Sequence, residues 1–289
     1  MSTVKEAEPK VREIEGLYLR FDLQEVARKL GEPLVFANYI CDQNDVIAKK
    51  DDSGGFQVPK ELKNAPDWRL FQELTAQSDI IITGAGYLKR FAKMGAKAQD
   101  VINQFSKGAE FSGLGDWRVS HGLKRNPDIA VISRSLDFEI PEAAFMDGRK
   151  VLVFTTRIGS SSEKADQYRK LGAEVIEAGE DGVDGSTAIN ALGNRNYKVI
   201  KNTTGPRVLD ILLKSDKLNG IFITRVQKDI TKGSVDVQTV LHNKKLENLK
   251  GFSYKRLFYL EEVKTAEGHI VSEEFGVYNK DSNSISIVE

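Results

Sequence analysis

Cysteine and histidine are scarce in this sequence, and the shortage excludes several kinds of site. The 289 residues include one cysteine, Cys41, so neither an internal disulfide framework nor a CxxC motif is expected. The three histidines, His121, His242 and His269, are scattered without the spacing of metal ligands. No GxSxG motif or histidine-based triad spacing occurs, which disfavours a hydrolase.

Net charge and long apolar runs are absent as well. Lysine plus arginine (42) equals aspartate plus glutamate (42), which argues against nucleic acid or an anionic membrane as the main partner. No apolar run approaches the roughly 20 residues of a membrane span, and the polar N-terminus carries no signal-peptide core. We therefore expect a soluble cytoplasmic protein that binds neither nucleic acid nor membrane and holds no metal.

The composition is that of a folded chain, since 40% of the residues are hydrophobic and 29% are charged. No proline- or serine-rich linker and no internal repeat divides the sequence. We expect a flexible charged tail over residues 1–15 and a single domain over residues 16–289.

The stretch from Ser78 to Arg90, SDIIITGAGYLKR, combines a strand, a glycine turn and a helix start. Its apolar β-branched run is long enough for one buried parallel strand. In α/β proteins ligands bind at the carboxyl ends of such strands. Glycines let the backbone approach a ligand closely, and a helix N-terminus favours an anion such as phosphate. The alternative is a tight turn that only needs small residues.

Similar apolar runs alternate with amphipathic stretches along the chain. The predicted strands cover residues 33–40, 79–82, 128–133, 150–156, 173–178, 197–202 and 220–226. The predicted helices cover residues 22–30, 64–77, 87–105, 160–172, 186–192 and 207–218. This alternation predicts a parallel sheet covered on both faces. Residues 255–263 and 269–278 alternate around a turn and predict an antiparallel hairpin, and residues 284–288 are a candidate edge strand.

Small, hydroxyl and basic residues recur where the predicted strands end. Gly84-Ala85-Gly86 and Thr204-Gly205-Pro206 each precede a helix start, and two such anion-friendly starts in one sheet suit a dinucleotide pyrophosphate. Ser133-Arg134 and Thr155-Thr156-Arg157 add hydroxyls and guanidinium groups, which suit a ribose 2′-phosphate. The alternative is that the hydroxyls cap helices and the arginines are solvated.

Four segments resemble the reductase domain of riboflavin biosynthesis and its pyrimidine reductase relatives, in the dihydrofolate-reductase-like superfamily. They are DIIITGAGY (79–87), PDIAVISRSLDFEIP (127–141), VLVFTTR (151–157) and TGPRVLDILLKSDKLNG (204–220). The resemblance spans about residues 34–226. It implies a three-layer α/β fold with a mostly parallel sheet and an antiparallel C-terminal hairpin.

The resemblance also implies a function, namely an NADPH-dependent reductase that passes hydride to a pyrimidine or a similar heterocycle. The cofactor-binding residues that it implies are Thr83, Gly84, Ala85, Gly86, Ser133, Arg134, Thr155, Thr156, Arg157, Thr204, Gly205, Pro206, Arg207 and Val208. Asn38 and Asp45 are the substrate-binding candidates near the first strand. A homodimer is expected from the family and from the C-terminal strands, whose edges need covering.

The chain departs from the family in its substrate half. The family's Ser-Leu-Asp-Gly loop is here Asp42-Gln43-Asn44-Asp45, and its Glu-Gly-Gly is Thr203-Thr204-Gly205. Asp42 is the candidate proton donor, because a carboxyl group near a dry nicotinamide has a raised pKa; the alternative is a solvated loop aspartate. These changes also keep open a second hypothesis, a nucleotide-binding homologue without catalysis.

The glycine-rich aromatic stretch 107–126 is predicted to be a long loop. Trp117 and Arg118 within it are further substrate-binding candidates, since both side chains stack on flat rings. A flexible aromatic segment of this kind suits a lid that closes over a bound ring. The alternative is a fixed loop packed on the outside of the core.

Overall fold

The computed structural model describes residues 9–51, 54–94, 102–231, 236–242, 244–281 and 285. Its helices are α1 (Pro9–Ile14), α2 (Leu23–Leu30), α3 (Ala65–Ala76), α4 (Ala85–Met94), α5 (Ser112–Ser120), α6 (Arg157–Ser160), α7 (Glu163–Lys170), α8 (Gly185–Gly193) and α9 (Pro206–Lys214). Its strands are β1 (Leu34–Cys41), β2 (Val46–Lys50), β3 (Phe56–Gln57), β4 (Ile80–Thr83), β5 (Asp128–Ile132), β6 (Val151–Thr155), β7 (Glu174–Glu177), β8 (Val199–Asn202), β9 (Gly220–Val226), β10 (Val237–Thr239), β11 (Phe252–Lys264) and β12 (Ile270–Lys280). Short 3-10 turns cover Tyr18–Phe21, Glu142–Gly148 and Leu246–Asn248.

The chain forms two compact units. One contains residues 23–37 and 75–219, and we call it the parallel unit; the other contains residues 1–22, 38–74 and 220–289, and we call it the hairpin unit. Strand β1 contributes its first half to the parallel unit and its second half to the hairpin unit.

The parallel unit is built on a sheet with the strand order β1-β8-β4-β5-β6-β7. Every neighbouring pair in this order is parallel. All residues of β5 and β6 are buried, so both faces of the sheet are covered, as the continuous apolar runs of these strands predict. On one face Leu88 of α4 and Tyr168 of α7 share a buried cluster with residues of β5 and β6.

In the hairpin unit β11 pairs with β12 and β12 pairs with β9, both antiparallel, so the predicted C-terminal hairpin is confirmed. Strand β12 buries Val271, Phe275 and Val277. A second, three-stranded sheet has the order β10-β2-β3 and was not predicted. The observed mixture of a mostly parallel sheet, helices and this hairpin confirms the predicted fold class.

Strand β2 was not predicted. Two local predictions also differ from the structure, and the first is the flexible tail over residues 1–15, since α1 lies within it. Residues 107–126 are not one long loop, because residues 112–120 form α5. Phe111, Leu114 and Arg118 are buried at helical spacing, and this pattern outweighs the glycines around them.

Parts of other predictions fall outside the described residues. The helix predicted at 87–105 is observed as α4 up to Met94, and residues 95–101 are not described. Of the candidate edge strand only Ile285 is described, and it is buried. Among the described residues no helix has both the length and the apolar character needed to cross a membrane, and no group of three or more acidic, histidine or cysteine side chains is arranged to hold a metal.

Candidate functional site

The carboxyl ends of β8 and β4 lie side by side in the parallel unit. Ile82 and Asn202 are register partners in the two strands. Thr203 extends this pairing, since its backbone N–H and its hydroxyl both donate to the Ile82 carbonyl, at 2.9 and 3.0 Å. Helix α4 begins two residues after Thr83, and α9 begins three residues after Thr203. Two helix N-termini therefore follow two adjacent strands.

Gly84 and Gly86 flank the start of α4. The carbonyl of Gly84 accepts the first helical hydrogen bonds, from the N–H groups of Tyr87 (3.0 Å) and Leu88 (3.3 Å). Neither glycine has a positive φ, and a Cβ added to either one would meet no atom of the described residues within 4 Å. Packing within the described part of the chain therefore does not require glycine here, and these residues leave space for a ligand.

The start of α9 is organised by Asn202. Its side-chain oxygen accepts hydrogen bonds from the Thr204 hydroxyl (2.7 Å) and the Thr204 N–H (3.2 Å). Gly205 is the N-cap with an extended backbone, and Pro206 occupies the first helical turn, so the first peptide groups of α9 are pre-arranged. Arg207 is exposed and makes no ion pair among the described residues, and Val208 is half-buried.

The next strand end, that of β5, carries Ser133 and Arg134. Ser133 donates its N–H to the Phe154 carbonyl (3.0 Å), and its hydroxyl accepts a hydrogen bond from the N–H of Leu136 (3.2 Å). The turn is tight, since Leu136 has φ +53°. The Arg134 side chain is exposed and has no hydrogen-bond or ion-pair partner among the described residues.

The end of β6 carries Thr155, Thr156 and Arg157. Thr155 is fully buried and donates to the Arg134 carbonyl at 3.4 Å. Thr156 is the N-cap of α6, where its hydroxyl accepts the N–H of Gly159 at 3.1 Å. For Thr156, therefore, the alternative that the hydroxyl residues cap helices is correct. Arg157 is exposed and pairs with Glu180 at 3.4 Å.

All fourteen predicted cofactor-binding residues therefore follow or end the four consecutive strands β8, β4, β5 and β6. Parallel strands bring their carboxyl ends to one edge of the sheet, so the structure brings these residues together. The N-termini of α4 and α9 offer backbone N–H groups to an anion, and the open space at Gly84 and Gly86 admits one. With three exposed arginines nearby, this edge fits a dinucleotide with several phosphates.

The predicted catalytic residue, Asp42, belongs to the hairpin unit and is fully buried. Its carboxylate accepts hydrogen bonds from the backbone N–H groups of Asn44 (2.7 Å), Val46 (2.8 Å) and Ile230 (3.1 Å). Both carboxylate oxygens therefore hold backbone groups, which gives the side chain a structural role. Asp42 as proton donor stays a prediction, and this geometry argues against it.

Asp45 is held in a similar way within the hairpin unit. It has φ +65°, and its carboxylate pairs with the Arg225 guanidinium at 2.5 Å and accepts the Leu246 N–H at 2.9 Å. Asn38 is also buried, with a long 3.5 Å hydrogen bond to the Phe222 carbonyl. Their substrate-binding roles stay predictions, and the described contacts of Asp45 hold the turn together.

Trp117 and Arg118 lie on α5 in the parallel unit. Trp117 stacks on His121 of the same helical segment, with ring centres 3.9 Å apart. Arg118 is buried and donates to the carbonyls of Ser78 (2.6 Å), Ala76 (2.8 Å), Thr75 (3.3 Å) and Lys124 (2.6 Å). These bonds anchor α5 to the end of α3 and to the entry of β4, which is the opposite end of that strand from Gly84.

Sequence reasoning missed two residues at the site. Thr203 joins the ends of β8 and β4, and the only signal for it was its place directly before Thr204. Glu180 follows β7 and pairs with Arg157, but nothing in its sequence neighbourhood points to that partner 23 residues away. The pairing exists only because β6 and β7 are adjacent in the sheet.

No protein-family model and no curated protein sequence matches the chain. Solved structures do match it. A pyrimidine reductase-like protein from Corynebacterium diphtheriae has a TM-score of 0.58 and 21% identity, over 89% of this chain and 98% of that protein. The riboflavin biosynthesis reductase of Saccharomyces cerevisiae has a TM-score of 0.52 and 13% identity, over 92% of this chain and 99% of the yeast protein.

A third match comes from Thermotoga maritima, a diaminohydroxyphosphoribosylaminopyrimidine deaminase/5-amino-6-(5-phosphoribosylamino)uracil reductase. It has a TM-score of 0.52 and 16% identity over 90% of this chain, and the match spans 60% of the Thermotoga protein. At these identities the likeness establishes the fold. The chain therefore has the dihydrofolate-reductase-like fold of the pyrimidine reductases, as the resemblance in its sequence implied.

Proposed function

We propose that this chain is an NADPH-dependent reductase acting on a pyrimidine or a related heterocycle, similar to the 5-amino-6-(5-phosphoribosylamino)uracil reductases of the riboflavin pathway. The observation that carries the proposal is the pair of adjacent helix N-termini at β4 and β8. A Cβ at either glycine of the α4 start would meet no atom of the described residues within 4 Å, which leaves room for a ligand. The similarity of the fold to pyrimidine reductases supports the same conclusion.

Each part of this sheet edge has a task in the proposal. When bound, NADPH supplies the hydride for the reduction. The backbone N–H groups at the starts of α4 and α9 hold the pyrophosphate, and the space at Gly84 and Gly86 lets it approach the backbone. Thr203 keeps the two loops at a fixed distance through its two bonds to Ile82. A rigid cradle of this kind orients the ligand without further reorganisation.

The preference for a 2′-phosphate is assigned to the end of β5. Arg134 is exposed, and its guanidinium has no partner among the described residues, so it is free to form a bidentate contact with a phosphate. Ser133 contributes a hydroxyl in the same turn, whose position is fixed by its bond to Leu136. Asn38, Asp45, Trp117 and Arg118 remain the predicted substrate residues.

One observation favours the second hypothesis, a nucleotide-binding homologue without catalysis. The carboxylate of Asp42, the candidate acid, accepts hydrogen bonds from three backbone N–H groups of the hairpin unit. An aspartate whose two oxygens both hold backbone groups has a structural role in its own loop. A reductase would then have to take its proton from another group or from water.

Two measurements on the full chain separate these hypotheses. Isothermal calorimetry with NADPH tests the cofactor site, and NADPH oxidation against a panel of pyrimidines, pterins and flavins tests the reaction. Binding together with turnover of a pyrimidine supports the reductase. Binding without turnover of any panel member supports the inactive homologue. An absence of NADPH binding refutes both.

The homodimer, the cytoplasmic location and the single domain are also proposals. Strand β11 is 13 residues long and stands at the end of the sheet, with β12 as its one neighbouring strand among the described residues, so it presents an edge to another chain. Two register shifts interrupt its pairing with β12, between Arg256 and Phe258 and between Leu260 and Val263. Sedimentation velocity at micromolar concentration should show a dimer, and a purely monomeric species would contradict it.

A further inference from the structure

Arg157 and Glu180 face each other at the ends of the neighbouring strands β6 and β7. Their side chains form an ion pair with a nitrogen–oxygen distance of 3.4 Å. Both residues are about two-thirds exposed (66% and 67%). The pair therefore lies at the surface of the same sheet edge that holds the candidate cofactor residues.

The backbone fixes the relation between these two residues. Beyond the ends of the strands, the N–H of Ala178 donates to the Thr155 carbonyl (2.8 Å), and the N–H of Arg157 donates to the Gly179 carbonyl (2.9 Å). Gly179 has φ +140°, and a Cβ at this position would collide with the Gly182 carbonyl. The main chain therefore holds Gly179, and with it the backbone of Glu180, beside Arg157.

Arg134 stands in contrast to Arg157. The two arginines end adjacent strands, and Thr155 donates its hydroxyl to the Arg134 carbonyl at 3.4 Å. Arg134 has no carboxylate partner among the described residues, whereas Arg157 has Glu180. Arg134 is therefore available to a phosphate, whereas Arg157 already pairs with a carboxylate.

We infer that Glu180 is a specificity-determining residue, which lowers the affinity of this sheet edge for a 2′-phosphorylated ribose. This inference rests on the proposed cofactor site. The Glu180 carboxylate occupies the Arg157 guanidinium and adds a negative charge close to the dianionic phosphate. Arg134 favours a dinucleotide with a 2′-phosphate over one without it. Glu180 makes this preference smaller.

The size of the effect follows from exposure. An exposed ion pair is screened by water and salt, so removing Glu180 should strengthen binding of a 2′-phosphate by about two- to fivefold. The effect should shrink as ionic strength rises, because the Debye length falls from about 10 Å at 0.1 M to about 3 Å at 1 M. Binding of a ligand without the 2′-phosphate should hardly change.

The test compares adenosine 2′,5′-bisphosphate with adenosine 5′-monophosphate, which differ only in the 2′-phosphate. Calorimetric titrations use the full chain as wild type, Glu180→Gln and Asp181→Asn. Asp181 is the matched control, since it is the adjacent exposed acid and makes no ion pair among the described residues. A further pair of proteins carries Arg157→Ala with and without Glu180→Gln.

We expect Glu180→Gln to tighten binding of the bisphosphate by the stated factor, Asp181→Asn to have a clearly smaller effect, and the monophosphate to bind equally to all three. In the Arg157→Ala background the Glu180→Gln effect should become smaller, because only the direct repulsion between Glu180 and the phosphate remains. Equal effects of Glu180→Gln and Asp181→Asn would overturn the inference and leave the cofactor site intact. If wild type bound neither nucleotide, both the inference and the proposed function would be refuted.

Discussion

Thr203 donates two hydrogen bonds to one acceptor, the carbonyl oxygen of Ile82, from its N–H at 2.9 Å and from its hydroxyl at 3.0 Å. These two hydrogen bonds join the end of β8 to the end of β4, just before helices α9 and α4 begin. The spacing between the two helix N-termini is therefore set by the sheet and not by mobile loops. Single substitutions at the start of α4 or of α9 can therefore test whether an anion binds between them.

We predict that Gly86→Val weakens NADPH binding at least about tenfold while the protein stays folded. A Cβ at this position meets no atom of the described residues within 4 Å, and the φ of Gly86 is not positive, so we expect the fold to accept a side chain. The same side chain would occupy the space assigned to the pyrophosphate. Calorimetry measures the affinity, and thermal unfolding monitors the fold.

Gly113→Val is the matched control for this prediction. Gly113 also lies in a helix and also has nothing within 4 Å of an added Cβ. It belongs to α5, which is anchored to the entry of β4 and not to its exit. Normal NADPH binding by folded Gly86→Val, or an equal loss in Gly113→Val, would show that the cofactor does not pass over the start of α4.

The contribution of Arg134 can be separated from that of Arg207. We predict that Arg134→Ala removes about a tenfold preference for NADPH over NADH, the size of one charge-assisted phosphate contact. Arg207→Ala, in the first turn of α9, should weaken both cofactors by a similar factor, because both carry the pyrophosphate. Titrations of both cofactors against both variants check this. A preference that survives in Arg134→Ala would move the 2′-phosphate away from β5.

The fold and the strand ends could be predicted because their signals are local. Strands β5 and β6 are buried on both faces, so they read as continuous apolar runs, and each is followed at once by its hydroxyl and arginine residues. Helix α5 was missed because its glycines suggested flexibility. In the structure Gly115 is instead required for packing, since a Cβ there would collide with the Phe105 carbonyl.

The functions of single polar residues could not be predicted, because they depend on partners that are distant in sequence. Asp42 looked like a candidate acid, but one of its three backbone donors is the N–H of Ile230, 188 residues away. Arg118 looked like a stacking residue, but its carbonyl partners include Ser78, 40 residues earlier. Only the assembled fold shows that these side chains satisfy backbone groups.

Glu273 provides a prediction on pH. Burial, together with the carboxylate of Asp67, raises the pKa of Glu273 well above its usual value. One of its carboxyl oxygens accepts from Asn64, and the other has no hydrogen-bond partner among the described residues. A carboxyl group whose pKa is raised by folding stabilises the protein fully below the unfolded pKa of about 4.3. That stability is lost as the pH rises through the folded pKa.

We therefore predict that Glu273→Gln becomes more stable relative to wild type as the pH is raised from 4 to 8. Each unit of upward pKa shift corresponds to about 1.4 kcal/mol in this difference. Urea denaturation at several pH values measures it, with the exposed Glu261→Gln on β11 as control. A difference between Glu273→Gln and wild type that did not change with pH would show that the Glu273 pKa is not raised in the folded state.

The last prediction concerns Arg118, whose guanidinium and neighbouring carbonyls form the main anchor of α5. Thr75 and Ala76 end α3, so the positive charge also faces the negative end of that helix. Burial lowers the pKa of Arg118 to about 10, with Asp79 acting in the opposite direction, so the group remains charged at neutral pH. Arg118→Ala would remove the hydrogen bonds that four carbonyls accept from one side chain. We predict a loss of at least about 3 kcal/mol in the free energy of unfolding.

Arg169→Ala is the control, because Arg169 is exposed and its bonds to the Asp166 carboxylate and the Ser160 carbonyl are exposed as well, so its loss should be below about 1 kcal/mol. The Arg118 variant also decides between an anchor and a substrate-binding residue. If Arg118 is an anchor, the folded fraction of Arg118→Ala at low temperature should bind NADPH and any substrate with wild-type affinity. Three of its carbonyl partners precede β4 and the fourth, Lys124, precedes β5, whereas the cofactor residues follow the strands. If Arg118→Ala were stable but bound substrate less tightly, Arg118 would be a substrate-binding residue.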